Sequence, residues 1–348
     1  MSHDPDAIAW PDPARRAAFG RWMADVAAEH ALDAGSLAPA SADASFRRYF
    51  RVQGADGSRI VMDAPPPQED VRPFVHVARL VQAAGLNGPR VLAADERQGF
   101  LLLTDLGSRS YLDAFGQAGP AATDRLMRDA IEALLRWQQQ VPAAALPPLT
   151  REFVRAELDL FPAWCVGREF GIAWTDGQRD AWHRISEWLV EHALAQPRVA
   201  VHADWMPRNL MVTDPNPGIL DFQDALAGPV GYDIASLLRD AFVSWDEERE
   251  LDWAIRWWEG ARRAGLPVAA DFGSTWRAIE WTGLQRHLKV LGIFCRLKHR
   301  DGKARYVEDL PRFLGYATRV ALRYAELKPL LGLLGPLSGA RVQAGYTF

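Results

Sequence analysis

Three polar residues in one short stretch carry the strongest chemical signal in this chain of 348 residues: Asp204, Asn209 and Asp221. They lie in Val-Ala-Val-His202-Ala-Asp204-Trp-Met-Pro-Arg-Asn209-Leu-Met-Val, followed by Pro-Asn-Pro-Gly218 and Ile-Leu-Asp221-Phe222-Gln-Asp224. Apolar runs on either side predict a loop held between short strands, with the polar groups presented at its surface. Phosphoryl transfer asks little covalent help of a protein. It needs a carboxylate to take the proton of the acceptor hydroxyl, and oxygen ligands that hold magnesium against the phosphates. Asp204, Asn209 and Asp221 supply groups of those types. An H-x-D pair alone is usually an ordinary cap or hydrogen-bonded pair, so the argument rests on the whole set in this order.

The elements that must position this set read as α+β. Asp12 and Pro13 look like an N-cap and first helical residue, and Phe19, Trp22, Met23 and Val26 then fall at helical spacing, giving a helix over 13–30. From Ser45 the pattern alternates, with Phe46, Phe50 and Val52 against Arg47, Tyr49 and Arg51; Gly-Ala-Asp-Gly then precedes Arg59-Ile-Val-Met62, a hairpin signature. Pro73 opens a helix with Phe74, Val77, Ala78 and Val81 on one face, closed by Gly85, and strands follow at 90–93 and 99–103. Beyond Gly107 the chain becomes helical, with stretches near 122–140, 151–164, 177–194, 230–243, 246–264, 272–296 and 304–327, interrupted by the strand island at 199–222. The expected organisation is a small sheet-rich N-terminal nucleotide-binding lobe, 1–105, and a larger helical C-terminal lobe, 106–348, carrying the catalytic loop and the acceptor site.

Composition narrows the partners. A net charge of −4 argues against nucleic acid. The first residues, MSHDPDAIAWPDPARR, lack a basic stretch followed by an apolar run, and no window has the ~18 uninterrupted apolar residues of a membrane span. Two distant cysteines, Cys165 and Cys295, fit a reducing compartment better than a disulfide framework. The expectation is a cytoplasmic protein with a small-molecule partner, of undetermined oligomeric state.

H-x-D-x-x-x-x-N followed twelve residues later by Asp-Phe resembles the catalytic loop and metal-binding Asp of the protein-kinase-like superfamily, in a form closer to aminoglycoside phosphotransferases than to protein kinases. The resemblance implies a two-lobe kinase fold and the use of ATP and Mg2+. Asp204 would be the catalytic base, Asn209 and Asp221 the metal ligands, and His202 a brace for the loop. Asp233, in Gly-Pro-Val-Gly-Tyr-Asp-Ile-Ala, would support the same loop or cap its own helix. Ala42-Asp-Ala-Ser45-Phe46-Arg47-Arg48 occupies the place of a loop covering the nucleotide, and Leu-Leu-Leu-Thr104-Asp105-Leu106-Gly resembles the hinge where adenine would be met.

Two departures stand out. Ile60-Val-Met-Asp63 puts an Asp where kinases carry a phosphate-binding cation, and Met206 replaces the Lys or His common two residues after the base. Arg47 or Arg48, together with Arg208, is therefore expected to supply the positive charge. Several segments, including Val-Met-Asp-Ala-Pro-Pro-Pro and Leu-Lys-Val-Leu-Gly-Ile-Phe, together resemble the bacterial anomeric N-acetylmuramate/N-acetylglucosamine kinases of cell-wall recycling, from about residue 15 to 330. That resemblance implies phosphorylation of the C1 hydroxyl of an amino sugar, with Trp205, Asp224 and Arg286 as candidate acceptor contacts and the basic run from Arg296 to Arg305 as a possible attractor of a carboxylate. An aminoglycoside or other amino-alcohol kinase, and a nucleotide-binding pseudoenzyme, are the alternatives.

Overall fold

The computed structural model describes residues 8, 10, 12–42 and 46–342. The chain divides into two compact units, Met1–Ala133 with Pro207–Asp224, and Leu134–Met206 with Ala225–Phe348. The boundary falls twice within the segment that carries the polar set, so Asp204 belongs to the second unit and Asn209 and Asp221 to the first.

The first unit begins with α1 (Pro13–Glu29), capped by the Asp12 carboxylate on the Ala14 amide, with Pro13 at its first position. Its sheet comprises β1 (Leu32–Ala42), β2 (Arg48–Gly54), β3 (Gly57–Asp63), β4 (Val91–Asp95) and β5 (Phe100–Thr104), all antiparallel in the order β1-β2-β3-β5-β4. Helix α2 (Arg72–Ala83) lies between β3 and β4 in the chain. The alternation read from the sequence becomes a core. Phe50 and Val52 of β2, Val61 of β3, and Phe100 and Leu102 of β5 pack on Phe19, Met23 and Val26 of α1. The opposite face of β2 therefore carries Tyr49 and Arg51. Strand β1 went unread in the sequence because Leu-Asp-Ala-Gly-Ser-Leu-Ala-Pro-Ala-Ser-Ala is poor in β-branched residues; pairing with β2 makes it a strand. Gly99, at φ +72°, sits where an added Cβ would fall 1.9 Å from the Ala64 carbonyl oxygen, so no other residue fits between β4 and β5 without moving that backbone. Helices α3 (Tyr111–Phe115) and α4 (Pro120–Gln140) follow.

The second unit is built on α5 (Arg151–Leu158), α6 (Asp176–Ala195), α7 (Tyr232–Leu238), α8 (Glu247–Arg263), α9 (Phe272–Asp301), α10 (Leu310–Arg323) and α11 (Pro329–Val342). Helix α9, 30 residues long, buries Trp276, Ile279, Trp281, Leu284, Leu288 and Leu291, so apolar side chains surround it and it forms the unit's axis. A π-helical turn over Phe161–Glu169 replaces the end of the helix expected over 151–164. Strand β6 (Arg198–Val201) pairs antiparallel with Leu226–Pro229, a strand that Gly228 and Pro229 disguise in the sequence. Cys165 and Cys295 are both buried and neither is in a disulfide. No helix among the described residues is long and apolar enough to cross a membrane.

Candidate functional site

A cavity of about 350 Å³ lies within the first unit. Its apolar walls include Ile60 of β3, Leu103 of β5, Met211 and Leu220, and its polar rim includes Arg51, Thr104, Asp105, Arg208, Asn209 and Asp221. Apolar walls with a few convergent polar groups are the usual form of a small-molecule site. Arg51 donates to both oxygens of Asp105, at 2.5 and 3.1 Å, and Ser58 donates to the same carboxylate at 2.7 Å. Burial pushes the Asp105 carboxyl up, but the bonds from Arg51, Ser58 and the Gly107 amide outweigh it and hold the group below the ordinary range.

Asn209 and Asp221 meet across a short hairpin of Leu210–Met211 and Gly218–Ile219. The Asn209 side-chain amide donates to Asp221 Oδ2 at 3.3 Å, while Gln223 donates to Oδ1 at 2.8 Å. The Leu220 amide donates to the Asn209 carbonyl, tying the two positions through backbone as well. The turn of the hairpin is pinned by Asn216, whose amide donates to Tyr111 Oη at 2.7 Å and Asp129 Oδ2 at 2.6 Å. Asp221 has φ +62°, in the left-handed region that Asp tolerates better than most residues and that recurs at functional sites.

Asp204 stands on a loop of the second unit that starts where β6 ends. Asp233, the second residue of α7, is fully buried and accepts the His202 amide at 2.7 Å and the Ala203 amide at 3.1 Å. Burial raises its pKa to about 7, against the lowering effect of those amides and of Arg286. From the other side, Arg286 of α9 donates to the Ala203 carbonyl at 3.0 Å and stands 3.8 Å from Asp204 Oδ1. Ala203, at φ +78°, is thus held at both ends of its backbone in a conformation costly for alanine. His202 Nδ1 accepts the Asp204 amide at 3.3 Å, and its ring lies edge-on to Trp205, 5.3 Å between centroids. Arg286 itself lies over the Tyr232 ring at 5.0 Å.

The cavity brings together six expected residues, Thr104, Asp105, Leu106, Arg208, Asn209 and Asp221. It does not include Phe46, Arg47 or Arg48. Phe46 is exposed, Arg47 pairs with Glu69 at 2.9 Å, and Arg48 lies on the α1 side of β2, ion-paired with Asp63 and stacked 4.0 Å from the Trp10 ring. Ser45 lies outside the described residues. Asp63, in the position expected to replace the phosphate-binding cation of kinases, is on that same far face and also accepts from Arg15 Nε at 2.9 Å. Arg51 is the β2 cation on the cavity side, and its signal was the alternation with Tyr49. Trp205 is fully buried, and Asp224 is exposed beside Gln223. Glu157 and Lys289, an ion pair of the second unit, had no signal in the sequence pattern.

Residues 36–272 match the model of the phosphotransferase enzyme family, and the chain belongs to that family. It is therefore a phosphotransferase. A protein of Pseudomonas putida named N-acetylmuramate/N-acetylglucosamine kinase is 52% identical over 311 residues, 89% of this chain and 91% of that one. A protein of Neisseria meningitidis serogroup B with the same name is 47% identical over 337 residues, 96% of this chain and 99% of that one. Among solved structures, the GDP complex of wild-type aminoglycoside 2'-phosphotransferase-IIIa superimposes with a TM-score of 0.61 at 14% identity, covering 87% of this chain and 99% of the other. The protein-kinase-like fold expected from the catalytic-loop motif is thereby established.

Proposed function

We propose that this protein transfers the γ-phosphoryl group of ATP to the anomeric C1 hydroxyl of N-acetylmuramate, N-acetylglucosamine or both, in the recycling of peptidoglycan sugars within the cytoplasm. The observation that carries the reading is the joint presence of an intact Asp204/Asn209/Asp221 set and about 50% identity, over most of the chain, to kinases of that name. The nucleotide base would lie against Ile60, Leu103 and Leu220, with polar contacts from the backbone of Thr104 to Leu106. Arg51 and Arg208 are the cations that would meet its phosphates, in place of the lysine that β3 lacks.

The donor set fits a magnesium ion. A carboxamide and a carboxylate already within hydrogen-bond contact offer two hard oxygens once the amide turns over, and magnesium keeps water and phosphate oxygens as its remaining ligands. Among the described residues no cluster of three His, Cys, Asp or Glu offers a different metal site. Bound there, the ion would neutralise charge on the phosphates. Asp204 would orient the acceptor hydroxyl and take its proton, with Arg286 3.8 Å from its Oδ1 and Asp233 fixing the backbone beneath it.

The test is an ATP-consumption assay with N-acetylmuramate, N-acetylglucosamine and kanamycin, each with and without magnesium. Turnover of an amino sugar that requires magnesium is expected. Turnover of kanamycin alone would overturn the sugar reading, and ATP binding without turnover of any acceptor would mark a pseudoenzyme.

A further inference from the structure

Charged residues around the Asp204 loop form a group larger than bracing requires. Helix α9 brings Arg286 and Lys289 one turn apart on a single face, and α5 brings Glu157 to Lys289 as its ion-pair partner. Arg286 is committed to the loop, through the Ala203 carbonyl and Asp204, and its side chain is only 8% exposed. The Lys289 side chain keeps 24% exposure. Burial acts to discharge Lys289, but Tyr232, Glu157 and Asp204 outweigh it and keep the ammonium charged. An ammonium has three donors, and the ion pair engages one.

We propose that Lys289 receives the carboxylate of N-acetylmuramate, with Glu157 as the counter-charge that lets the same site also accept a neutral amino sugar. The inference rests on the amino-sugar reading of the acceptor and adds the residue that distinguishes the two sugars. N-acetylmuramate carries a carboxylate that N-acetylglucosamine lacks. A lone half-buried ammonium would favour the acid and penalise the neutral sugar, because a desolvated charge would be left unpaired. Paired with Glu157, the ammonium is compensated whichever sugar is bound. The position suits the role, because Lys289 lies one helical turn beyond the residue that touches the base. The basic run suggested by the sequence is placed elsewhere: Lys298 and His299 hold Glu169, Arg300 holds Asp301, and Lys298 lies roughly 18 Å along α9 from Arg286.

The experiment compares kcat/KM for N-acetylmuramate and N-acetylglucosamine in the native enzyme, Glu157→Gln, and Glu157→Gln/Lys289→Met, which removes both charges and leaves neither orphaned. The ratio of acid to neutral sugar should fall about tenfold or more in the double variant and rise in Glu157→Gln. A ratio in the double variant within about threefold of the native one would overturn the inference. So would an equal loss on both sugars with a native melting curve, since the pair would then serve the base and not the choice of sugar. Native enzyme that turns over neither sugar would instead sink the amino-sugar reading itself.

Discussion

Asp204 and Asp221, both in the segment 202–222, are held by different means. Asp221 and its partner Asn209 sit on a minimal two-stranded hairpin of the first unit and contact each other directly. Asp204, in the second unit, stands on a loop with no ladder of its own; two buried charged residues from distant helices, Asp233 and Arg286, grip its backbone at Ala203. The hairpin is a local structure whose geometry follows from short-range pairing. The base loop is a tertiary structure, imposed from α7 and α9. In the mechanism proposed above, a group that would meet a metal ion can adjust through its side chain, whereas a base that would meet one proton needs fixed backbone, since small misplacements of reacting groups cost large factors in rate.

The sharpest way to break this comparison is Asp204→Asn. It should lower kcat by roughly 10²–10⁴-fold, while the melting temperature stays close to native because the side chain is partly exposed; steady-state kinetics beside calorimetry would check both. Asp221→Asn should instead raise the magnesium concentration needed for half-maximal rate, and equal responses to magnesium in the two variants would erase the distinction between base and ligand. Next in size is Asp233→Asn, in which one amide loses its acceptor and meets a donor. About 1–3 kcal/mol of stability should go, read by urea unfolding, together with a fall in kcat. The same variant tests a pH effect. Because the folded-state pKa of Asp233 is raised to about 7, the folded protein binds the extra proton, so this residue favours folding most in acid and its contribution declines as pH rises from about 4 towards 7. The Asn variant should lose that slope.

Smaller effects probe the first unit. Arg51→Ala should raise KM for the nucleotide by about tenfold, the order of one charge-assisted hydrogen bond, whereas Arg48→Ala should lower the melting temperature and leave that KM near native. The reverse pattern would return the phosphate contact to Arg48. The smallest expected change is Ala203→Gly, which relieves a left-handed alanine worth roughly 1–2 kcal/mol but loosens the unfolded chain; a net gain of up to about 1 kcal/mol is expected, and a clear loss would show that the Ala203 methyl packs.

Much of the first unit could be read because its signals are local. Phe19, Met23 and Val26 at helical spacing, and Phe50 and Val52 in alternation, meet in one core as their patterns predict. Arg48 is illegible for a related reason: alternation puts a charge on the apolar face of β2, but not the Asp63 and Trp10 that receive it there. The strand Leu226–Pro229 and the pair Glu157–Lys289 left no local trace, because each depends on a partner far along the chain.

By itself the sequence determined the fold class and the polar groups on offer, the carboxylates of Asp204 and Asp221 and the carboxamide of Asn209, since motif spacing and periodicity are properties of neighbours in the chain. Only tertiary structure decided which cation faces the cavity and what holds the loop of Asp204, because a strand's sidedness and a buried charge's partner are settled by packing between residues 15 to 83 positions apart.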